Sequence, residues 1–180
     1  MRLQSILAAL AATGLAGAAP TSLEEEHDGN FKDEILAAHN FFRRQHGADP
    51  FSWNQKLARG AQDWAETCNF SHDSAGENLA AMTGFPGWAA FVNMWGAERT
   101  KYNWANPGFS MNTGHFTQVV WKQTRSLGCG WKKCSGGWGK ANGFYVVRKY
   151  DPAGNYGGQY AQNVGKQAEG KPGDVYAWHE

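Results

Sequence analysis

The order of the secondary-structure patterns constrains the fold more than any other feature of this chain. Segments with helical spacing occupy the first half, and candidate strands separated by glycine-rich turns occupy the second half. Helices followed by hairpin strands predict a layered α+β domain rather than a parallel β-α-β fold. At 180 residues the chain has the length of one domain with a single well-buried core.

Three segments are predicted to be helices. Phe31 to Gln45 carries apolar side chains at helical spacing and is followed by the breakers Gly47 and Pro50. Asn54 is placed to cap a second helix whose apolar residues share one face. Trp88 to Tyr102 is the third helix.

Three segments are predicted to be strands, namely Phe116 to Trp121, Leu127 to Lys132 and Gly143 to Tyr150. The first strand would place His115 at its mouth, held by the sheet and open to a cleft. That position suits a metal ligand or a proton carrier, although a structural histidine is the commoner outcome.

The first 18 residues have the pattern of a secretory signal peptide, with cleavage expected after Ala18. The apolar run from Ile6 to Ala12 is too short to span a bilayer, so we expect an extracellular protein without a transmembrane segment. Residues 19–30 are acidic and polar and predict a flexible lead-in, and residues 165–180 predict a weakly ordered tail.

Charge excludes two classes of partner. Arg2 is the only charged residue in the signal, so its removal changes Lys plus Arg from 17 to 16, against 16 Asp plus Glu. A mature net charge near zero argues against nucleic-acid binding and against a polybasic membrane role. Small molecules, lipids, glycans and other proteins remain as partners.

Three cysteines, Cys68, Cys129 and Cys134, allow one disulfide and leave one thiol over. A Cys129–Cys134 bridge would close too small a loop to stabilise much, so a bridge between distant segments such as Cys68–Cys134 is favoured. Asn69 begins an Asn-Phe-Ser glycosylation sequon, which burial beside Cys68 would block.

Glu98 is the unusual member of the third predicted helix. It shares one stripe with four aromatic residues: Trp88, Phe91, Trp95 and Tyr102. A desolvated carboxylate costs several kcal/mol unless it is paired or bound to metal. Either the stripe faces a cleft, or the helix end frays and Glu98 is solvated.

Four side chains offer nitrogen and oxygen donors for a zinc-type ion: His72, Glu77, Glu98 and His115. Their spacing is not diagnostic, and structural histidines are the alternative. Ser71 beside His72 suggests a hydrolase, but the chain has no Gly-x-Ser-x-Gly elbow and no His-Glu-x-x-His zinc helix.

Aromatic residues are abundant, with nine Trp and ten Phe. Tyr102, Trp104 and Phe109 lie in or beside a loop that contains proline and glycine, where they could form a gate over an apolar ligand. The alternative is that these rings pack down onto the sheet.

Five stretches carry a family resemblance: His39 to Arg43; Ser71-His72 with Gly76 to Leu79; Trp95 with Glu98; Gly114 to Trp121; and Tyr150 to Tyr156. With these stretches the chain resembles the CAP superfamily of cysteine-rich secretory, antigen 5 and pathogenesis-related proteins, over residues 31–164. The resemblance implies a three-layer α-β-α sandwich with a central, mainly antiparallel sheet.

The resemblance also implies a central cleft that can bind a divalent metal such as zinc, formed by His72, Glu77, Glu98 and His115. The family is mostly regarded as non-enzymatic. Fungal and yeast-type relatives bind sterols through a loop that corresponds to residues 102–113, where the candidate contacts are Tyr102, Trp104, Pro107 and Phe109. Some relatives also hold a fatty acid between helices.

One departure from the family pattern concerns the cysteines. Arg148 occupies a position where relatives carry a cysteine that pairs with the counterpart of Cys129. The resemblance therefore implies that Cys129 is a free thiol and that Cys68 pairs with Cys134.

We expect a secreted CAP protein that binds a sterol, a fatty acid or a related lipid and is not an enzyme. A metal-dependent hydrolase that uses the His/Glu cleft is one alternative. An extracellular protein of defence or virulence that binds a protein partner is the other.

Overall fold

The computed structural model describes residues 30–178 of the chain. Its helices are α1 (Phe31–Gln45), α2 (Gln55–Glu66), α3 (Trp88–Ala97), α4 (Gly114–Val119) and α5 (Tyr160–Asn163), with a 3-10 turn at Glu98–Lys101. The strands are β1 (Ser52–Trp53), β2 (Glu77–Met82), β3 (Ser126–Ser135) and β4 (Asn142–Asp151). The predicted signal peptide (1–18) and residues 19–29 of the predicted lead-in lie outside the described residues.

The four strands form one sheet in the order β1-β3-β4-β2. The β3–β4 and β4–β2 pairings are antiparallel, and only the two-residue pairing of β1 with β3 is parallel. The sheet is therefore mainly antiparallel, as predicted. None of the helices within residues 30–178 is both long enough and apolar enough to cross a membrane.

Helices cover both faces of the sheet. On one face Ala80 and Val146 belong to a large core that α1, α3 and α4 complete. On the other face Leu79 and Val147 pack in a smaller cluster that includes Ala61 of α2. Neighbouring strand residues alternate between the two clusters, as the period of a strand requires. The predicted α-β-α sandwich is confirmed.

Two glycines of β3 allow α2 to lie close against the sheet. A Cβ atom on Gly128 would lie 2.1 Å from the backbone nitrogen of Ala58, and one on Gly130 would lie 2.3 Å from that of Gln62. A side chain at either position would push the helix away from the sheet.

The first helix prediction is confirmed in its bounds, and the second is confirmed at its start, although the helix ends at Glu66, before Cys68. Helix α1 covers Phe31–Gln45, and α2 begins directly after Asn54. The Asn54 side-chain oxygen accepts hydrogen bonds from the amides of Lys56 (3.0 Å) and Leu57 (3.2 Å). These bonds satisfy amides that have no partner inside the helix.

The predicted strand from Phe116 to Trp121 is wrong, because Gly114–Val119 forms α4. A short run of buried apolar residues does not distinguish a strand from a buried helix. Tertiary contacts satisfy the helix ends. The Phe116 amide donates to Glu98 Oε2 (3.0 Å), and the buried Arg43 donates to the carbonyls of Val119 (3.0 Å) and Trp121 (2.9 Å).

The third predicted helix ends earlier than expected. Helix α3 stops at Ala97, and Glu98 begins the 3-10 turn, so Tyr102 lies beyond the helical segment. The Glu98 side chain is only 16% exposed and accepts two hydrogen bonds. The solvated alternative for Glu98 is therefore excluded.

The segment 165–178 contains no helix or strand, but specific contacts hold it to the helices. Arg99 donates to the carbonyls of Pro172 (2.8 Å), Lys171 (3.0 Å) and Asp174 (2.6 Å). The Asn93 side chain exchanges two hydrogen bonds with the Tyr176 backbone, both of 2.9 Å. This anchoring differs from the weakly ordered tail that composition predicts, because long-range partners supply the order.

Candidate functional site

A cavity of about 340 Å³ lies beside α4. Polar and apolar side chains both line it: His72, Ser74, Glu77, Asn78, His115 and Asn155, with Phe109 and Met111. The start of β2 supplies one wall, and the loop before α4 supplies the other. Three of the four predicted metal residues therefore face one space.

The fourth predicted metal residue, Glu98, reaches this space through His115. Nδ1 of His115 donates to Glu98 Oε1 at 2.8 Å, and the imidazole stacks on Trp95 with ring centres 5.6 Å apart. The carboxylate and the indole together fix the orientation of the ring. The other ring nitrogen, Nε2, is then the one available to a ligand.

A second histidine–carboxylate pair lies across the cavity. Nδ1 of His72 lies 3.5 Å from Glu77 Oε2, which also accepts from the amides of Asp73 (2.8 Å) and Ser74 (3.3 Å). Lys149 forms an ion pair with the buried carboxylate of Glu77. Burial opposes the charged form of Lys149, but its bonds to Glu77 and Asp73 outweigh that effect and raise its pKa.

The structure thus arranges the predicted metal residues as two pairs. Within residues 30–178, no group of three or more His, Cys, Asp and Glu side chains is close enough to hold a metal ion. Glu77 is neutralised by Lys149, and Glu98 is occupied by His115 and the Phe116 amide. Glu98 is placed to orient the His115 imidazole, whereas Glu77 lies beside the more exposed His72 imidazole.

The predicted lipid-binding residues divide between two environments. Tyr102 is buried and packs edge-on against Trp104, with ring centres 4.7 Å apart. Trp104 is partly buried and stacks on His46. These two rings follow the alternative in which they pack into the core. Pro107 is exposed, and Phe109 is 62% exposed at the cavity wall.

Met111 lies beside the predicted lipid residues and was missed by sequence reasoning. Its side chain is 81% exposed, and with Phe109 it forms the apolar wall of the cavity. Its position within the predicted lipid loop, residues 102–113, was the available signal.

A second cavity of about 440 Å³ lies behind the loop, on the side of Trp104. Arg99, Thr100 and the C-terminal segment complete its lining, with Lys166, Gln167 and Pro172. Trp104 and Phe109 therefore face different cavities. Of these two rings, a ligand in the first cavity would contact only Phe109.

Two asparagines that sequence reasoning did not select hold α4 in place. The Asn78 side chain donates to the carbonyl of His115 (3.1 Å), and the Asn155 side chain donates to that of Gly114 (2.8 Å). Both asparagines occur in the stretches that carry the family resemblance, which was the available signal.

The buried His39 is structural, since Nδ1 donates to Ile35 O (2.7 Å) and Nε2 accepts from the Tyr150 hydroxyl (2.8 Å).

The cysteines follow the pairing that the resemblance implied. Cys68 and Cys134 form a disulfide, and Cys129 is free and buried. Arg148 lies directly opposite Cys129 in the β3–β4 ladder and is fully buried, with its guanidinium 4.3 Å from the centre of the Trp95 ring. Asn69 is partly buried, and its Oδ1 atom accepts from Lys140 Nζ at 2.6 Å.

Comparison with known proteins shows clear relatives. Pathogenesis-related leaf protein 4 of Solanum lycopersicum is 43% identical over 138 residues, which are 72% of this chain and 82% of that protein. Protein PRY2 of Saccharomyces cerevisiae is 41% identical over 142 residues, which are 75% of this chain but only 41% of that protein.

Solved structures share the fold at low sequence identity. Hookworm platelet inhibitor aligns with a TM-score of 0.63 at 21% identity, over 77% of this chain and 78% of that chain. The crystal structure of NaASP2 with Zn²⁺ aligns with a TM-score of 0.62 at 22% identity, over 77% of this chain and 87% of that chain. A model of the cysteine-rich secretory protein family matches residues 36–150, and with these relatives it establishes that the chain belongs to the CAP family.

Proposed function

We propose that this chain is a secreted, non-enzymatic protein that binds a sterol or a related lipid in the cavity beside α4. The observation that supports the proposal is the exposure of two neighbouring apolar side chains, Phe109 and Met111, on the wall of a cavity with a polar floor. A cavity of about 340 Å³ falls within the range of small-molecule sites.

The two walls match the two parts of a sterol. Phe109 and Met111 would cover the rigid ring system, and burial of apolar surface contributes about 25 cal/mol per Å². The hydroxyl group would meet His72 or His115, whose Nδ1 atoms are already directed at glutamates. A rigid ligand loses little conformational entropy on binding, so affinity needs no catalytic step.

We extend the proposal to a divalent metal in the same cavity, held by two imidazoles only, because no larger group of donors converges within residues 30–178. His72 and His115 would bind zinc through Nε2, and Glu77 and Glu98 would hold the rings in position. Bound zinc supplies a Lewis acid that can polarise an oxygen atom. Two imidazoles leave the remaining coordination positions to water or ligand, so we expect an exchangeable ion rather than a closed structural site.

Trp104 gives a reason to test a fatty acid separately. It lines the second cavity together with Lys166, whose ammonium group could pair with a carboxylate. A fatty acid held there would respond to Trp104→Ala and not to changes at Phe109. The two cavities thus predict different patterns of loss for the two lipid classes.

The test is equilibrium binding of a radiolabelled sterol to the chain secreted from an expression host. We expect saturable binding that the double variant Phe109→Ala/Met111→Ala weakens at least tenfold. With the sterol in detergent solution, Trp138→Ala is the matched control, because it removes a fully exposed ring at the far end of the sheet. A parallel titration with a radiolabelled fatty acid, with Trp104→Ala added, separates the two cavities, and a chelator arm reports on the metal.

Other outcomes would favour the alternatives. A folded wild-type chain without saturable sterol binding contradicts the sterol proposal. Zinc-dependent turnover of an ester or peptide that is lost in Glu98→Gln would indicate a hydrolase. A specific protein partner retained by the Phe109/Met111 double variant would indicate an interaction protein instead.

A further inference from the structure

The hairpin between β3 and β4 carries the most exposed large hydrophobic side chain in the described part of the chain. Trp138 is fully exposed at its tip. Gly136, Gly137 and Gly139 surround it, and all three have positive φ values. Glycines at these positions shape a tight turn and offer the indole no neighbouring side chain to pack on. Exposure of a large apolar ring to water at the tip of a hairpin is unfavourable, and it indicates that the ring contacts a partner.

Covalent and hydrogen-bond contacts fix the base of this hairpin, and this base carries the turn that contains Trp138. The Cys68–Cys134 disulfide ties it to the end of α2. The amide of Ala141 donates to the Cys68 carbonyl (2.8 Å), and Lys140 Nζ donates to the Thr67 carbonyl (3.0 Å). The tip therefore holds its position relative to the rest of the domain.

A second aromatic ring lies at the same tip. The Phe70 amide donates to the carbonyl of Gly139 (2.9 Å), which places Phe70 next to Trp138 in the fold. The Phe70 ring rests on Tyr145 and is 49% exposed. Two exposed aromatic side chains thus lie at one end of the sheet.

The charge of the hairpin indicates what the tip contacts. Between Ser126 and Asn142 the chain contains three lysines and no acidic residue. Lys132 is paired with Glu66 at 3.1 Å, whereas Lys140 donates to two neutral acceptors. Lys133 is exposed, and its ammonium group lies 5.6 Å from the centre of the Phe144 ring. Two lysines that flank an exposed indole along the hairpin complement an anionic surface with an apolar interior.

We propose that the Trp138 tip docks this protein on the headgroup region of an anionic lipid bilayer. Tryptophan favours the membrane–water interface, where its apolar ring and polar N–H are both accommodated. Lys133 and Lys140 attract anionic headgroups, and the indole enters the interface between the headgroups. One inserted ring and two lysines give weak, reversible attachment. The near-zero net charge of the mature chain is compatible with this, because the attraction is local.

This docking surface is separate from the proposed lipid cavity. The cavity adjoins Glu77 at the start of β2, and the hairpin tip lies beyond the opposite end of the sheet, where Met82 pairs with Phe144. Trp138→Ala should therefore leave sterol binding in detergent solution unchanged. Failure of one proposal does not imply failure of the other.

The test is co-sedimentation of the full chain with vesicles of phosphatidylcholine containing 30% phosphatidylserine, beside vesicles of phosphatidylcholine alone. Ser71→Ala serves as the background, since it removes the sequon that could place a glycan at Asn69 beside the tip. We expect binding to the anionic vesicles that Trp138→Ala weakens about tenfold, which is the effect of 1.4 kcal/mol. Lys133→Gln should weaken binding to anionic vesicles about fivefold and leave binding to neutral vesicles unchanged.

Tyr156→Ala is the control, because it removes another half-exposed aromatic ring, just beyond the other end of β4. Brominated phosphatidylcholine should quench part of the tryptophan emission of the parent. The emission of Trp138→Ala should not be quenched. The proposal is overturned if the parent does not bind anionic vesicles, or if Trp138→Ala binds them as well as the parent. Binding to an insoluble polysaccharide through Trp138, without vesicle binding, also overturns it and assigns the tip to a glycan.

Discussion

Nδ1 of His115 lies 2.8 Å from Oε1 of Glu98, and the same carboxylate accepts the amide of Phe116 at 3.0 Å. One side chain therefore fixes an imidazole and also binds the first turn of α4. An acidic group at the start of a helix stabilises its unpaired amides. Glu98 thus connects the helix that carries His115 to the orientation of the His115 ring.

We expect Glu98→Gln to weaken zinc binding by about 10- to 100-fold, because the amide holds the His115 ring less firmly and lowers its basicity. Isothermal titration of the purified chain with zinc measures the change. Glu66→Gln, at a half-exposed glutamate of α2, is the matched control. Equal affinity in Glu98→Gln and the parent contradicts the orienting role, and absence of zinc binding by the parent contradicts the metal proposal.

The Cys129 thiol should not react in the folded protein. Burial raises its pKa to about 12, so almost no thiolate is present at neutral pH. In a thiol-labelling assay with a disulfide reagent, we expect no labelling of the native chain. One equivalent should react in denaturant without reductant, because Cys68 and Cys134 are paired. Rapid native labelling, or a count other than one after unfolding, would refute this prediction.

His46 should make the protein less stable in acid. It is almost completely buried, and burial lowers its pKa to about 4, although its bond to the Gly165 carbonyl acts in the opposite direction. The unfolded chain takes up a proton near pH 6.5 and the folded chain does not, so stability falls as the pH drops below that value. The loss is roughly 3 kcal/mol of unfolding free energy between pH 7 and pH 4.

Urea unfolding at several pH values measures this effect. His46→Gln should lose roughly 3 kcal/mol less than the parent over the same interval, because Gln does not titrate. The buried His39, whose pKa is also lowered by burial and by the charge of Arg148, keeps part of the acid sensitivity in both proteins. Identical pH profiles for parent and variant would show that His46 is not the cause.

Arg99 should hold the C-terminal segment in place. Its guanidinium donates to three carbonyls of that segment and to the side chain of Gln45. We expect Arg99→Ala to cost on the order of 2 kcal/mol and to expose residues 165–178 to protease, since charge-assisted hydrogen bonds contribute more than neutral ones. Limited proteolysis followed by mass spectrometry locates the cut. Lys101→Ala, two residues away and exposed, should be cut at the parent rate. If Arg99→Ala is cut no faster than the parent, the Arg99 hydrogen bonds do not hold the C-terminal segment in place.

Local patterns predicted the elements that depend on local signals. Helix α1 has apolar residues at helical spacing that stop before the breakers Gly47 and Pro50, and β4 has strand-forming residues directly after Gly143, so both were predicted with nearly correct bounds. Helix α4 was mistaken for a strand because its stability comes from Glu98 and Arg43, which are distant in sequence. A window of local sequence contains no information about such partners.

In the candidate site, too, the residues were predicted from the sequence but their contacts with distant partners were not. Sequence reasoning selected His72, Glu77, Glu98 and His115, but it did not predict that they form two pairs or that Lys149 neutralises one of them. Those facts depend on the sheet register, in which Glu77 lies opposite Lys149. Sequence analysis assigned the metal residues to a central cleft and the lipid contacts to the loop of residues 102–113, but Phe109 of that loop lines the same cavity as His115.

Gly128 should tolerate no side chain. A Cβ atom there would lie 2.1 Å from the backbone nitrogen of Ala58 and 2.5 Å from the carbonyl carbon of Leu57, so no side-chain rotation can relieve the clash. Helix α2 would have to move away from β3, and we expect Gly128→Ala to lose about 1–3 kcal/mol of unfolding free energy or more. Gly84→Ala, which has no atom within 4 Å of the added Cβ, should be close to the parent. Thermal and urea unfolding of the three proteins measure the difference. Equal stability of Gly128→Ala and Gly84→Ala would mean that α2 does not depend on this glycine to approach the sheet.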